Sequence, residues 1–302
     1  MSLRSILVVG ATGQQGGALI SALTADSRET FQIYALTRSK TSSSAQRLAQ
    51  QNNVSVIEGD LDHPEAVFKQ INKPLWGLFA VTVLDKGHEK EELQGRALIK
   101  AAVEAKVAHI VFTATDRGGQ VKSENNPSDV PHFVSKYNIE QVIKENAAKS
   151  NGKLTYTFLR PVSFYENFNP KPFGPTHMTM WRMDGDDKTL QMIATKDVGK
   201  VAAEAFRQAE DSKYKNNAVS LAGDSVTAAE FRTIFKRVTG QDFAQSFWIL
   251  GAAIRYGIKD LRRMYHFFAV GGFGVDVPKL KKEYPFMMDL ETWLREESVW
   301  KK

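Results

Sequence analysis

Two sets of residues in this 302-residue chain are placed to bind phosphate. Gly10, Gly13 and Gly16 follow directly on the apolar run Ile6-Leu7-Val8-Val9 and precede the helical pattern Ala18 to Leu23. Gly10 suits a tight turn, Gly13 leaves room for a pyrophosphate, and Gly16 lets a helix sit close on its strand. The opening amides of that helix then face a phosphate, with the positive end of the helix dipole behind them. The second set lies at the end of the next strand, Phe31 to Arg38, with Lys40 close behind. A site for NAD places an acid there to hold the ribose 2′-hydroxyl. This chain has Thr37 and Arg38 instead, and a planar guanidinium fork suits a 2′-phosphate. The expected cofactor is NADP(H).

The elements that must position these groups alternate along the first half. After the first two strands come Val54 to Leu61 and Leu75 to Thr82, then a charged amphipathic helix from Glu89 to Ala105 with Leu93, Ala97, Ile99, Ala101 and Ala102 among its apolar positions. The strand Ala108 to Thr115 follows, then a helix from His132 to Lys149 and a strand from Leu154 to Arg160 that ends at Pro161. Short apolar strands separated by helices predict an α/β Rossmann fold, a doubly wound parallel sheet with helices on both faces. Ligands of such sheets bind at the carboxyl ends of the strands. The loops after Gly10, Arg38, Asp60, Val81, Thr113 and Pro161 are thus expected to share one cleft.

The second half is less regular and predicts a smaller C-terminal α+β lobe that closes the cleft. Met180 to Ala194 reads as a hairpin about Asp184-Gly185-Asp186. Asp197 is a plausible N-cap for a helix through Arg207. Ala218 to Ala222 reads as a strand, and Thr227 to Glu230 as a capping box before another helix. Trp248 to Phe268 reads as one aromatic-rich helix broken by Gly271 to Gly274, with Trp248, Tyr256, Tyr265, Phe267 and Phe268 as lobe core. The expected domains are 1–161 and 162–302, with segments such as 190–220 returning to the first.

Composition excludes several classes. There is no cysteine, so disulfides, thiolate catalysis and thiol redox sensing are absent; this fits a reducing compartment, cytoplasm or nucleus. The six histidines show no ligand spacing, so no structural metal is expected. The longest apolar runs are too short to span a bilayer. The first strand begins at once, and no signal peptide is expected. Net charge is +6, concentrated in Lys259 to Arg263 and Lys279 to Lys282. With no aromatic-and-basic motif, these read as solvated helix faces rather than a nucleic-acid site. Nothing separates a monomer from a homodimer.

The spacing G-x-x-G-x-x-G resembles that of extended and atypical short-chain dehydrogenases/reductases. The chain is similar to the NmrA-like family of these proteins in Gly10 to Gly16, His132 to Lys136, the stretch Leu159 to Phe168, Ile193 to Gly199 and Leu290 to Leu294. The Arg160-Pro161-x-x-Phe164-x-Glu166-Asn167 stretch is the most specific of these. The resemblance implies a Rossmann domain that binds NADP(H), a smaller C-terminal lobe, and regulation through protein partners that respond to the cofactor. One member of the family senses NADPH.

Relatives with hydride chemistry use a Tyr-x-x-x-Lys pair, in which the tyrosine delivers a proton and the lysine holds the nicotinamide ribose. Here Lys136 is present, but the tyrosine position is His132. Residues four apart share a helix face, whereas Tyr137 lies about 100° round the helix. The replacement favours a cofactor sensor acting through a regulatory protein partner. The alternative is an NADPH-dependent reductase of a small apolar carbonyl, quinone or imine, with Lys136, His132 and Tyr165 as catalytic candidates. The expected cofactor contacts are Gly10, Thr12, Gly13, Gln14, Gln15 and Gly16 at the pyrophosphate, and Arg38 and Lys40 at the 2′-phosphate. Asp60 and Leu61 should border the adenine, and Val81 and Thr82 the ribose side. Lys136 with Pro161, Val162 and Phe164 should border the nicotinamide.

Overall fold

A computed structural model of the chain describes residues 3–25, 31–84 and 87–301. The chain divides into two compact units. One comprises Met1–Ala114, Val134–Arg160 and Val198–Val219; the other comprises Thr115–Phe133, Pro161–Asp197 and Ser220–Lys302. Residues 115–133, read from the sequence as part of the first domain, thus group with the second unit.

The first unit is built on β1 (Arg4–Val8), β2 (Phe31–Thr37), β3 (Val54–Glu58), β4 (Gly77–Val81), β5 (His109–Thr113) and β6 (Thr155–Pro161). Their order is β3-β2-β1-β4-β5-β6, and every adjacent pair is parallel. Strand order therefore reverses between β1 and β4, the switch point of a doubly wound sheet. The central strands are apolar because helices cover both faces: Ile6, Leu7, Val8, Leu78 and Phe79 have no exposed surface. Each such side chain contributes about 1.5–3 kcal/mol by leaving water. The first helices of this unit are α1 (Gln14–Thr24), α2 (Ser43–Ala49), α3 (Pro64–Gln70) and α4 (His88–Glu104).

The second unit contains the short α5 (Gln120–Ser123). The long α6 (Pro131–Lys149) begins there and runs on into the first unit. A smaller sheet follows, of β7 (Ser163–Phe164), β8 (Thr189–Ile193) and β10 (Asp224–Thr227), in the order β10-β8-β7. The strand β9 (Asn217–Leu221) instead extends the large sheet beside β6. The remaining helices of this unit are α7 (Phe173–Arg182), α9 (Ala228–Thr239), α10 (Trp248–Gly257), α11 (Lys259–Val270), α12 (Val277–Glu283) and α13 (Leu290–Glu296), whereas α8 (Thr195–Arg207) belongs to the first unit from Val198 onward. Thr227 and Glu230 form the expected capping box at α9. No helix of the described residues is long and apolar enough to cross a membrane.

Four expectations for the second half are corrected. The hairpin about Gly185 does not form: Met178 and Met180 alternate with threonine like a strand, yet they sit on α7, and β8 pairs with β7 and β10. The aromatic cluster of Phe168, Trp181, Phe231 and Phe243 buries that helix on several sides, which removes a one-faced signal. Asp197 does not cap α8. It lies in the first turn, and its carboxylate accepts from the Met288 amide at 2.7 Å. The stretch Trp248 to Phe268 is two helices, because Ile258 takes extended angles between α10 and α11. Finally, Trp248 and Tyr256 are not core but more than half exposed, unlike the buried Tyr265.

Candidate functional site

The glycine turn joins β1 to α1 in the way the sequence requires. Gly10 has φ +67°, and a Cβ there would stand 2.7 Å from Val81 Cγ1. A Cβ on Gly16 would stand 2.3 Å from the Gly10 carbonyl oxygen, so only glycine lets α1 start this close to the turn. The Gly13 amide donates to Gly10 O at 2.9 Å and closes the turn. Gly13 is the N-cap of α1 and brings no capping side chain. The amides of Gln14, Gln15 and Gly16 have no acceptor within the helix, which suits an anion. Gln15 Oε1 is buried without a hydrogen-bond partner.

Beside this turn lies a cavity of about 310 Å³. Gly10, Thr12, Gly13, Arg38, Asp60, Leu61 and Val81 border it, together with Val9, Leu36, Thr37, Gly59, Asp62, Val83 and Gln94. Its size falls within the range of small-ligand sites. Its walls suit a flat aromatic group held between aliphatic side chains with polar groups at the rim. Asp60 Oδ1 accepts from the amides of Asp62 and His63 at 2.9 and 3.2 Å, which shapes the loop after β3. Asp62 is held in turn by Gln94 and Lys90 of α4, at 2.7 and 2.5 Å. Lys40 is exposed and outside the lining, and its backbone amide donates to Glu58 Oε2 at 2.8 Å.

At the carboxyl end of β4 the chain carries a buried polar network. Lys136 Nζ lies 2.9 Å from Glu91 Oε1 and donates to Thr82 O and Oγ1 at 3.2 Å. Thr82 Oγ1 donates to Glu91 Oε1 at 2.9 Å, and Ser135 Oγ donates to Glu91 Oε2 at 2.6 Å. The Glu91 side chain is 1 % exposed. Burial alone would raise its carboxyl pKa, but the charge of Lys136 and hydrogen bonds from Ser135, Lys136 and Thr82 outweigh this and hold it below the usual carboxylate range. The two helices come close because α4 has Gly95, where a Cβ would stand 2.3 Å from Ile139 Cδ1.

Sequence reasoning missed Glu91, although the signal was present. Position 91 precedes Gly95, Leu98 and Ala102 at helical spacing, so it lies on the buried stripe of α4. Leu93, expected among the apolar positions, is 65 % exposed.

The remaining candidates lie in the second unit. His132, at the start of α6, makes a short contact through Nδ1 with Asp260 of α11, and both side chains are largely buried. Nothing in the sequence pairs positions so far apart. Val162 is buried and Phe164 half-buried, with Val162 bonded through its amide to Leu221 O. Pro161 closes β6 and accepts from the Asp116 amide. Tyr165 is withdrawn as a catalytic candidate. It has no exposed surface, stacks on Trp293, and sends its hydroxyl toward Met288 O at 3.5 Å. Its neighbour Glu166 accepts from the Thr195 amide and hydroxyl at 3.0 and 2.8 Å. This stretch is therefore built into the core of the second unit.

Comparison with known proteins agrees with this construction. An NmrA-like family domain-containing protein of Dictyostelium discoideum is 24 % identical over 251 residues, covering 81 % of this chain and 80 % of that protein. The crystal structure of NmrA, a negative transcriptional regulator, in complex with NADP matches with a TM-score of 0.74 at 18 % identity, over 99 % of this chain and 96 % of that one. An NADPH-dependent quinone oxidoreductase from Escherichia coli, complexed with NADPH, matches with a TM-score of 0.71 at 21 % identity, over 95 % and 97 %. At these identities the structures share the fold. Residues 3–291 match the NmrA-like family as a whole, and the chain belongs to that family.

Proposed function

We propose that this protein binds NADP(H) and acts as a cofactor-responsive regulator through a protein partner. The observation that carries the binding is the tight Gly10–Gly16 turn, which sets the start of α1, without a capping side chain, beside a cavity bordered by Arg38. The NADP and NADPH complexes of the matching structures support the same cofactor. Gly13 to Gly16 would hold the pyrophosphate, Arg38 the 2′-phosphate with Lys40, Asp60 and Leu61 the adenine end, and Val81 and Thr82 the ribose beyond.

Regulation is supported by the altered catalytic pair. His132 stands where active relatives have tyrosine, and Tyr165 is sealed in the core. A partner surface is supported by Phe247, Trp248, Ile249 and Leu250, four consecutive large apolar side chains between 48 and 86 % exposed. Calorimetric titration with NADP⁺, NADPH, NAD⁺ and NADH tests the binding. Equal affinity for oxidised and reduced forms would remove redox sensing by binding alone, and partner capture unaffected by cofactor would remove the regulator.

The contact between His132 and Asp260 favours a second reading, a reductase of a small carbonyl, quinone or imine. A carboxylate that orients an imidazole is an arrangement used for proton transfer. His132 would be the proton donor of that reading. NADPH oxidation across a panel of such substrates, lost in both Lys136→Ala and His132→Ala, is the expected result; no turnover with any of them would end this reading.

A further inference from the structure

The sheet turns between β1 and β4, and a dinucleotide lies across that point with one half on each side. The cavity bordered by Arg38 and Asp60 is lined from the ends of β1, β2 and β3, with Val81 and Val83 at its β4 edge. The nicotinamide half of a cofactor held there must therefore fall on the β4 side. On that side the described residues place the buried pair of Glu91 and Lys136, bonded to Thr82 at the end of β4.

We infer that the Glu91–Lys136 pair keeps the nicotinamide end of the site free of net charge, so that charge there favours neither the oxidised nor the reduced cofactor. This rests on the reading that the site takes NADP(H). The two redox forms differ by one positive charge on the nicotinamide ring. An uncompensated ammonium beside the ring disfavours the oxidised form, and an uncompensated carboxylate favours it. Here neither charge is uncompensated. Glu91 is held on one oxygen by Ser135 and on the other by Thr82 and Lys136, so its charge cannot leave for solvent. The ammonium is thus held by Glu91 and Thr82, and its charge is largely cancelled.

Packing does not explain the acid. The stripe of α4 that holds Glu91 continues through Gly95, Leu98 and Ala102, where an apolar side chain would be ordinary. A buried ion pair is seldom more stable than apolar residues of the same volume. Its effect is on charge at the site.

The test is calorimetric titration of the whole chain with NADP⁺ and with NADPH, in the wild type, Glu91→Gln, Lys136→Met and the double variant. Glu91→Gln should raise the ratio of Kd for NADP⁺ to Kd for NADPH by at least about threefold, and Lys136→Met should lower it by a similar factor. The double variant should return the ratio to within about twofold of wild type. If Glu91→Gln fails to fold, Lys136→Met decides the matter alone. Binding retained with an unchanged ratio overturns the role of the pair, as does an equal loss for both cofactors, which is what a structural role would produce. If the wild type binds neither cofactor, the NADP(H) reading itself falls and the proposal with it.

Discussion

Arg160 and Glu140 form a two-pronged ion pair in which neither side chain has any exposed surface; Nε and Nη2 donate to the two carboxylate oxygens at 2.8 and 2.9 Å. Arg160 is near the end of β6, and Glu140 lies one turn beyond Lys136 on α6. The pair thus fixes the depth at which α6 rests on the sheet, and with it the position of Lys136.

Removing Arg160 takes from buried Glu140 the two charge-assisted bonds of this pair. Arg160→Met should lower stability by about 3–5 kcal/mol, whereas Arg160→Met with Glu140→Leu should recover much of the loss. Urea unfolding midpoints of the two variants measure this. Equal destabilisation in both would mean that the arginine acts through packing and other bonds, not through the pair.

The glycine turn makes a steric prediction. A methyl group on Gly16 would meet the Gly10 carbonyl, which belongs to the backbone and cannot swing aside. Gly16→Ala should cost about 1–3 kcal/mol of stability. It should also weaken NADPH binding, because the turn and the start of α1 must separate. Thermal unfolding together with calorimetry would show both, and wild-type affinity in this variant would place the phosphate elsewhere.

Arg38 carries the choice between the two dinucleotides. Arg38→Ala should weaken NADPH binding by about 1.5–3 kcal/mol, roughly ten- to a hundredfold, and change NADH binding little. Parallel titrations with both cofactors test this. An equal loss for the two would mean that the 2′-phosphate does not reach Arg38.

Two buried histidines predict acid sensitivity. Burial pushes His109 down to about 4 and His177 to about 4, against 6.5 for a solvated imidazole. Between these values the unfolded chain binds more protons than the folded one, so stability falls as pH drops from 6.5 towards 4. Each histidine should cost up to about 3 kcal/mol over that window, with no further loss below it. Urea midpoints from about pH 7 downward should show a slope that His109→Gln reduces. An unchanged slope in that variant would mean that His109 titrates normally in the folded chain.

Features made of consecutive residues were open to the sequence alone. The strand, turn and helix around Gly10 to Gly16 follow from backbone sterics within twelve positions, and the placement of Arg38 follows from the end of one strand. The alternation of apolar strands with helices determined the parallel sheet, since both faces of each strand must be covered. Other features depend on which distant surfaces meet, and only the tertiary structure decided them. The spacing of α4 places Glu91 on its buried stripe, but its partners Lys136 and Ser135 come from α6 and meet it only in the assembled fold. His132 finds Asp260 across 128 positions of chain. Tyr165 looks available in sequence but is enclosed by Trp293 and Met288, which arrive from the last part of the chain. Local propensity carries no record of such partners, because the free energy that selects them comes from burial and pairing in the assembled fold.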